Sequence, residues 1–322
     1  MLIRKLWLKS PSLLLLTRPT ASFDLLSAFN QQYSSLQEPF QYTGNMTKGA
    51  VISFAHGGGP MPLLNDPNHK DIINSLKNRV PKILRLGTDK APRAIVLVTA
   101  HWSERVPTIS NAEKHKLYYD YGGFPRETYK LKYDAPGSPA VAKELFDVLQ
   151  TAGLQPDTDG ERGWDHGVFV PMLLVNPKAD IPIIQLSVLN SEDPATHLKM
   201  GHALSSLRNT NIAIIGSGFS SFHNSRLMFS GVTDNPSFRK RNKAWNTAVK
   251  DAIEEEDVQK RGEKLAEWRT FPNAYEMHPR GGAEHFLPLI VCAGAGGAGK
   301  AKSYTDGFLG LDIYSFYWDD EE

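Results

Sequence analysis

The sequence has very little cysteine: Cys292 is the only one among 322 residues. A single thiol excludes an internal disulfide framework and any metal site built from several thiolates. Cys292 follows the apolar run 287–291, which predicts a buried, small hydrophobic side chain. The chain therefore has no need of an oxidising compartment for its stability.

An excess of charge of either sign is also missing. The sequence contains 36 Lys and Arg against 35 Asp and Glu, a formal net charge of +1. No basic field is available to hold nucleic acid or an anionic membrane surface, so we expect neither as a partner. The apolar content of 41% and charged content of 22% are near globular averages, which excludes a disordered or fibrous protein. Small neutral or mixed-charge ligands fit this composition better, and it predicts no oligomeric state.

Long hydrophobic runs are absent from the N-terminal segment, for which we predict a leader or extension over residues 1–48. The run 13–16 is far too short to span a bilayer. No acidic residue precedes Asp24, whereas there are four basic ones: Arg4, Lys5, Lys9 and Arg18. This composition is typical of a mitochondrial transit peptide, and a poorly ordered extension is the alternative. We therefore predict a cytoplasmic or mitochondrial protein with a single catalytic domain over residues 49–322.

The rest of the chain alternates buried-strand and helix patterns. Apolar runs over 50–55, 95–100 and 212–215 are typical of strands buried on both faces. Between them, residues 71–84 carry apolar side chains at a helical period, and Ser138 precedes a second helical segment as a predicted cap. This alternation predicts an α/β fold with a mainly parallel or mixed central sheet flanked by helices on both faces. The tail after residue 294 is predicted to contain a loop and one last strand.

Histidines follow three of the predicted strands. His56 and His101 come directly after their apolar runs, and His223 follows the third through a Gly-Ser-Gly segment. Because ligands of open α/β sheets bind outside the carboxyl ends of the strands, the spacing predicts that these histidines converge. His166 and His285 each precede a further apolar segment. The pattern predicts a metal site at the strand C-terminal ends, and imidazole ligands suit zinc, iron, copper or nickel. Four others are predicted to be solvated or hydrogen-bonded: His69, His115, His197 and His202.

Two neighbouring segments bear on that site. The three glycines at 57–59 let the backbone turn sharply beside His56. Residues 118–133 are rich in tyrosine and punctuated by Gly and Pro, which predicts a long loop. That loop either walls an aromatic substrate pocket or is a surface flap packed by its own aromatic rings. Asp165 is predicted to cap the turn that follows it and to leave the His166 imidazole pointing outward.

Five motifs resemble, in their order along the chain, those of the class III extradiol ring-cleavage dioxygenases, most closely the DOPA-dioxygenase branch. The resemblance covers roughly residues 50 to 292. The motifs are S-F-A-H-G-G-G-P at 53–60, T-A-H-W at 99–102, W-D-H-G-V-F-V-P at 164–171, G-S-G-F-S-S-F-H-N at 216–224 and H-P-R-G-G-A-E-H-F-L-P-L at 278–289.

The resemblance implies a set of metal ligands. His56 and His101 would hold the metal, with His285 as the third ligand. His223 would be either a further ligand or the catalytic acid/base. Related ring-cleaving enzymes complete the set with a glutamate in the last motif, so Glu284 is the alternative to His285.

The resemblance also implies the chemistry. His166 would lie on the substrate side, and His223 or His166 would take a proton from a catechol hydroxyl and later return one, because imidazole titrates near neutrality. Fe(II) would be needed for activity, with Zn(II) as another occupant of the site. The partners would be O2 and a small aromatic diol, DOPA-like or caffeate-like, opened to a semialdehyde with both oxygen atoms incorporated.

Two other functions remain open from the residues. In a zinc-dependent hydrolase the same ligands would lower the pKa of a bound water. The absence of an H-E-x-x-H sequence argues against the peptidases that carry it. A non-catalytic metal-binding relative is the other alternative, although a closed structural zinc site needs only four ligands and no extra pocket histidines.

Overall fold

A computed structural model describes residues 47–228 and 230–319, which lie within one compact unit of the chain. The strands of this part are β1 (Val51–Ala55), β2 (Ala94–Glu104), β3 (Thr108–Ser110), β4 (Asp157–Asp159), β5 (Ile183–Leu189), β6 (Ile212–Gly218), β7 (Lys302–Phe308) and β8 (Leu311–Trp318). The α-helices are α1 (Lys70–Asn78), α2 (Val80–Ile83), α3 (Pro139–Thr151), α4 (His166–Val175), α5 (Pro194–Leu204), α6 (Ser225–Met228), α7 (Pro236–Ile253), α8 (Val258–Ala266), α9 (Ala274–Met277) and α10 (Leu287–Ala295).

The eight strands form one mixed sheet in the order β4-β3-β5-β2-β6-β1-β8-β7. The four central strands, β5, β2, β6 and β1, are parallel to one another. Strand β8 runs antiparallel to β1, and β3 runs antiparallel to β5. The predicted α/β fold with a mixed central sheet is confirmed.

Helices cover both faces of this sheet, as its buried and mostly apolar central strands require. On one face, a Cβ on Gly216 of β6 would lie 2.7 Å from Cys292 Sγ in α10, so this helix packs directly on the strand. On the other face, the hydroxyl of the next residue, Ser217, donates to the carbonyl of Gly167 in α4. Cys292 is fully buried, as predicted.

The chain after residue 294 departs from prediction, because it forms two strands rather than one. β7 and β8 pair as an antiparallel hairpin that turns through Leu309 and Gly310, both at positive φ. Side chains along β8 alternate between more buried and more exposed, typical of a strand with one covered face. In β7 only Asp306 and Phe308 are buried, so its sequence carried a weak strand signal.

The three histidine-bearing strands are neighbours in space, since β2, β6 and β1 stand in that order in the sheet. Their carboxyl ends therefore meet at one edge. His56 follows β1 directly, but His101 lies inside β2 rather than beyond it. The pairing of β2 with β5 shifts register between Thr99 and Ser103, and such a bulge redirects side chains. His223 is five residues past the end of β6, in a loop.

Helix starts follow the local sequence. Ser138 Oγ accepts a hydrogen bond from the backbone of Val141, as the predicted cap of α3 requires. None of the described helices is long and apolar enough to cross a membrane. The predicted leader falls almost wholly outside the described residues, so it stays a prediction, as does the division of the chain at residue 48.

Candidate metal centre

The Nε2 atoms of two imidazoles, His56 and His285, both lie close to Nε2 of a third, His101. His56 Nε2 lies 3.1 Å from His101 Nε2, which in turn lies 3.2 Å from His285 Nε2. His56 and His285 are almost fully buried, whereas the side chain of His101 is 20% exposed. The strand-end histidines and the histidine of the last motif thus meet in one cluster.

The hydrogen bonds of His56 fix its tautomer. Ser217 Oγ donates its only proton to the carbonyl of Gly167, so it can only accept from the imidazole. His56 Nδ1, 3.0 Å from that oxygen, must therefore carry the ring proton. The lone pair on Nε2 is left facing the cluster.

A carboxylate does the same for His285, and a second carboxylate faces His101 at a longer distance. His285 Nδ1 lies 2.9 Å from Glu284 Oε1, to which it donates. His101 Nδ1 faces Asp120 Oδ2 at 3.4 Å. Hydrogen-bonded Nδ1 atoms of this kind orient metal-binding histidines in proteins. The Nε2 of His285 accordingly faces that of His101, which in turn faces that of His56.

The donor set fits a metal ion. The Nε2 lone pair of His101 lies 3.1 Å from that of His56 and 3.2 Å from that of His285, and lone pairs at such distances repel unless a cation lies among them. Ligand atoms about 2.0–2.2 Å from one ion lie roughly 2.8–3.6 Å apart in tetrahedral or octahedral geometry. Burial, with the charges of neighbouring histidines, lowers the pKa of His56 and His285 well below the usual range and that of His101 to about 3. These rings are neutral at pH 7, which is the form that binds metals.

His166 lies beside this cluster, at the start of α4. Its ring centroid is 3.9 Å from that of His101. Both its Nδ1 and its backbone N–H donate to Asp120 Oδ1, at 2.8 and 2.9 Å. Gly167 allows this approach, because a Cβ there would lie 3.1 Å from the His101 ring. His166 Nε2 is left as a hydrogen-bond acceptor.

Asp120 is a site residue that the sequence did not reveal, since it lies in the tyrosine-rich loop, 46 residues before His166. Burial acts to raise the pKa of Asp120, but hydrogen bonds and charge from His166 and His101 outweigh it and lower the pKa. Asp120 is therefore a carboxylate at neutral pH. Its position between tyrosines in a loop was its only sequence signal.

The prediction for Asp165 is wrong. Its side chain caps no backbone N–H of α4 and is completely buried. It accepts hydrogen bonds from Thr99 Oγ1, Gln185 Nε2 and the Arg162 guanidinium. Three donors in the interior hold it more strongly than one exposed helix end could. The imidazole of His166 consequently faces the cluster rather than the solvent.

His223 stacks on His285, with ring centroids 3.4 Å apart and planes inclined by 16°. Its Nδ1 is 3.6 Å from Glu284 Oε1, beyond a good hydrogen bond. Burial and the charge of His166 lower the pKa of His223 to about 4, so it is a neutral base at pH 7. Its side chain remains 24% exposed, in keeping with a place on the open side of the cluster.

The glycine loop after His56 is held by a histidine outside the cluster. His69 is buried, its Nε2 accepts from the backbone of Gly58, and its Nδ1 donates to Asp66. A Cβ on Gly57, where φ is +86°, would lie 2.9 Å from the His69 ring. His69 is thus a hydrogen-bonded structural residue, as predicted, and the glycine is required by this close approach.

The segment that carries His285 is anchored by ionic contacts. Glu192 Oε1 accepts from the backbone of Ala283, and its Oε2 pairs with Arg269 at 2.6 Å. Arg269 also donates to the carbonyl of His278. The ring of His278 is itself buried against the carbonyl of Ser220. These contacts set the position of the last motif relative to β6.

Aromatic rings line the approach to His166. The Tyr121 ring lies 5.9 Å from His166 and 5.5 Å from Phe124. Phe124 in turn sits beside the glycine loop, 3.3 Å from where a Cβ of Gly59 would be. Burial raises the pKa of Tyr121 to about 12, so its phenol stays neutral. Of the two interpretations of the tyrosine-rich loop, this geometry favours a wall beside the site.

Comparisons with known proteins agree with this geometry. Residues 51–310 match the family described as the catalytic LigB subunit of aromatic ring-opening dioxygenase. Dioxygenase tasH of Hapsidospora irregularis is 53% identical over 278 residues, covering 83% of this chain and 85% of that protein. The 4,5-DOPA dioxygenase extradiol of Beta vulgaris is 34% identical over 271 residues, covering 82% and 95%. A crystal structure of an uncharacterized Escherichia coli K12 protein, 26% identical, superposes with a TM-score of 0.63 over 84% of this chain and 100% of that one.

Proposed function

The chain belongs to the LigB family of aromatic ring-opening dioxygenases, and we propose that it is a metal-dependent extradiol dioxygenase that opens the ring of a catechol with O2. The observation that carries the proposal is the convergence of three Nε2 lone pairs, from His56, His101 and His285. All three are ligands in the proposal. Glu284 is not, because its carboxylate accepts from the opposite nitrogen of His285.

When bound, Fe(II) would supply a Lewis-acidic, redox-active centre at which catechol and O2 are brought together. Neutral imidazoles leave the charge of that cation uncompensated, which favours an anionic catecholate beside it. Zn(II) fits the same nitrogen ligands and would lack the redox step.

Two pocket histidines handle protons in the proposal. His223 is neutral and partly exposed, so it can take a proton from a catechol hydroxyl and return one later. The Nδ1 proton of His166 is bound to Asp120, so its Nε2 can accept a hydrogen bond from the substrate. The rings of Tyr121 and Phe124 would pack on the apolar part of the substrate and exclude water.

The test is anaerobic reconstitution with Fe(II), followed by oxygen uptake with DOPA, caffeate and simple catechols while the yellow absorbance of a semialdehyde is followed. We expect uptake that depends on Fe(II) and on one class of catechol. Protein loaded with Zn(II) is the matched control and should bind catechol without consuming oxygen. Stoichiometric metal with no uptake from any catechol would overturn the proposal in favour of a zinc hydrolase or a non-catalytic relative.

A further inference from the structure

Two carboxylates each face one proposed metal ligand and one pocket histidine. Asp120 contacts His166 Nδ1 at 2.8 Å and faces His101 Nδ1 at 3.4 Å. Glu284 contacts His285 Nδ1 at 2.9 Å and faces His223 Nδ1 at 3.6 Å. The pairs come from different parts of the chain, the tyrosine-rich loop and the last motif.

The closer partner differs between the two pairs. Asp120 is hydrogen-bonded to the pocket histidine, and the same oxygen also accepts from the backbone N–H of His166. Glu284 is hydrogen-bonded to the ligand. The remaining contacts, at 3.4 and 3.6 Å, exceed ordinary hydrogen-bond lengths and orient a ring only weakly.

Given the proposed function, on which this inference rests, we propose that Asp120 and Glu284 are positioning residues with divided roles. Glu284 fixes the ring of a metal ligand, and Asp120 fixes the ring of the pocket histidine. Neither carboxylate needs to touch metal or substrate for this.

The physical basis is the strength of a charged hydrogen bond to Nδ1. Such a bond fixes the tautomer and the ring orientation and makes Nε2 a better donor of electrons. Loss of the partner of a metal-bound histidine costs about 10–100-fold in metal affinity or activity. That cost should fall on metal affinity where the partner holds a ligand, and on turnover where it holds a pocket histidine.

The experiment compares Asp120→Asn with Glu284→Gln, since both keep the shape and an acceptor oxygen but remove the charge. Metal affinity is measured anaerobically by chelator competition, and kcat is measured at saturating metal. For Glu284→Gln we expect metal affinity to fall about 10–100-fold and kcat to change by less than about 3-fold. For Asp120→Asn we expect kcat to fall about 10–100-fold and metal affinity to change by less than about 3-fold.

A readout in the metal-free protein separates positioning from general damage. In spectra of ¹⁵N-histidine protein, the downfield Nδ1 proton of His166 should move upfield only in Asp120→Asn, and that of His285 only in Glu284→Gln. Glu144→Gln, which removes an exposed ion pair with Arg93, is the control and should change neither. Asp120→Glu keeps the charge one methylene further out and serves as a second variant, with an intermediate loss of kcat expected.

Loss of the same property in both variants, or resonances and affinities like those of the wild type, would overturn the division of roles. The spectra and the metal titrations do not depend on oxygen chemistry. Failure of the proposed function, seen as no oxygen uptake by the wild type, is therefore distinguishable from failure of this inference.

Discussion

The metal centre has a strand half, formed by His56 and His101, and a loop half, formed by His223 and His285. The backbone holds the two halves in different ways. His56 and His101 are delivered by β1 and β2, whose backbones are held by ladder hydrogen bonds to neighbouring strands in a buried sheet. His223 and His285 are delivered by loops. Their positions depend on separate loop contacts rather than on a ladder, such as the hydrogen bond from the backbone of His223 to the carbonyl of Met277.

This difference predicts which half of the centre keeps its structure in the metal-free protein and which half opens more easily. A ladder in a buried sheet opens only when much of the fold opens, so the strand half should stay in place without metal. The loop half relies on the ionic contacts of Glu192 and Arg269, each worth about 1.5–3 kcal/mol. Metal binding should therefore order the loop half more than the strand half.

Removal of a strand-borne ligand should have the largest effect. We expect His56→Ala or His101→Ala to abolish metal binding, because two imidazoles cannot complete the centre. His166→Ala should retain stoichiometric metal and lose turnover. Metal analysis after gel filtration measures both outcomes. Stoichiometric metal in both ligand variants would show that the cluster of Nε2 atoms is not the site.

Removal of the ionic contacts that hold the loop half should have the next largest effect on metal affinity. Glu192→Gln removes the ion pair with Arg269 and weakens the hydrogen bond from Ala283. We expect metal affinity to fall about 10-fold, as loss of one charged hydrogen bond implies, and hydrogen exchange to rise in residues 279–285. Asp234→Asn, at an exposed ion pair with Arg239, is the control. Unchanged exchange in 279–285 would contradict the idea of an ionically anchored loop.

A weaker effect on metal affinity is expected when the neutral hydrogen-bond partner of His56 in the strand half is removed. Ser217→Ala removes the hydroxyl that fixes the tautomer of His56. A neutral hydrogen bond is worth about 0.5–1.5 kcal/mol, so metal affinity should fall about 2–10-fold without faster exchange in β1. Isothermal titration under anaerobic conditions provides the measurement. A loss greater than that of Glu192→Gln would reverse the comparison between the halves.

The smallest effect on metal affinity is expected at Asp306, which lies in β7, outside both halves of the centre. Burial raises the pKa of Asp306 from 3.8 to about 6, although Ser75 donates a hydrogen bond to it. The folded state then binds the proton more tightly than the unfolded state, so this group's contribution to stability falls as pH rises from about 4 to 6. Asp306→Asn should remove that decline, with metal affinity unchanged. Denaturant unfolding at several pH values measures the slope, and an identical slope in both proteins would refute the assignment.

Sequence alone predicted the strand half better than the loop half. The apolar runs before His56 and His101 placed both residues near a sheet edge, although the bulge that puts His101 inside β2 left no signal. His285 was marked by the apolar segment after it, but its role as third ligand came only from the resemblance, because its position depends on Glu192, 93 residues earlier in the chain. Asp120 was missed because its partner, His166, lies 46 residues later in the chain.

The error at Asp165 has a related cause. A carboxylate before an apolar segment is a good local cap, but the buried donors Thr99 and Gln185 come from two other strands. Local patterns describe a residue's neighbours in the chain, whereas buried polar groups are satisfied by neighbours in space. Periodicity likewise could not tell that the segments after His166 and His285 are helices rather than strands, because both are buried on all sides.

The most direct test of the central claim is the stoichiometry and product of one reaction. Protein reconstituted with Fe(II) is given caffeate and a measured amount of O2, and the product mass is determined. The account predicts one O2 consumed per caffeate, and a yellow product with the composition of caffeate plus both oxygen atoms. Oxygen reduced to hydrogen peroxide with caffeate merely oxidised to a quinone, or no consumption by fully metallated protein, would contradict it.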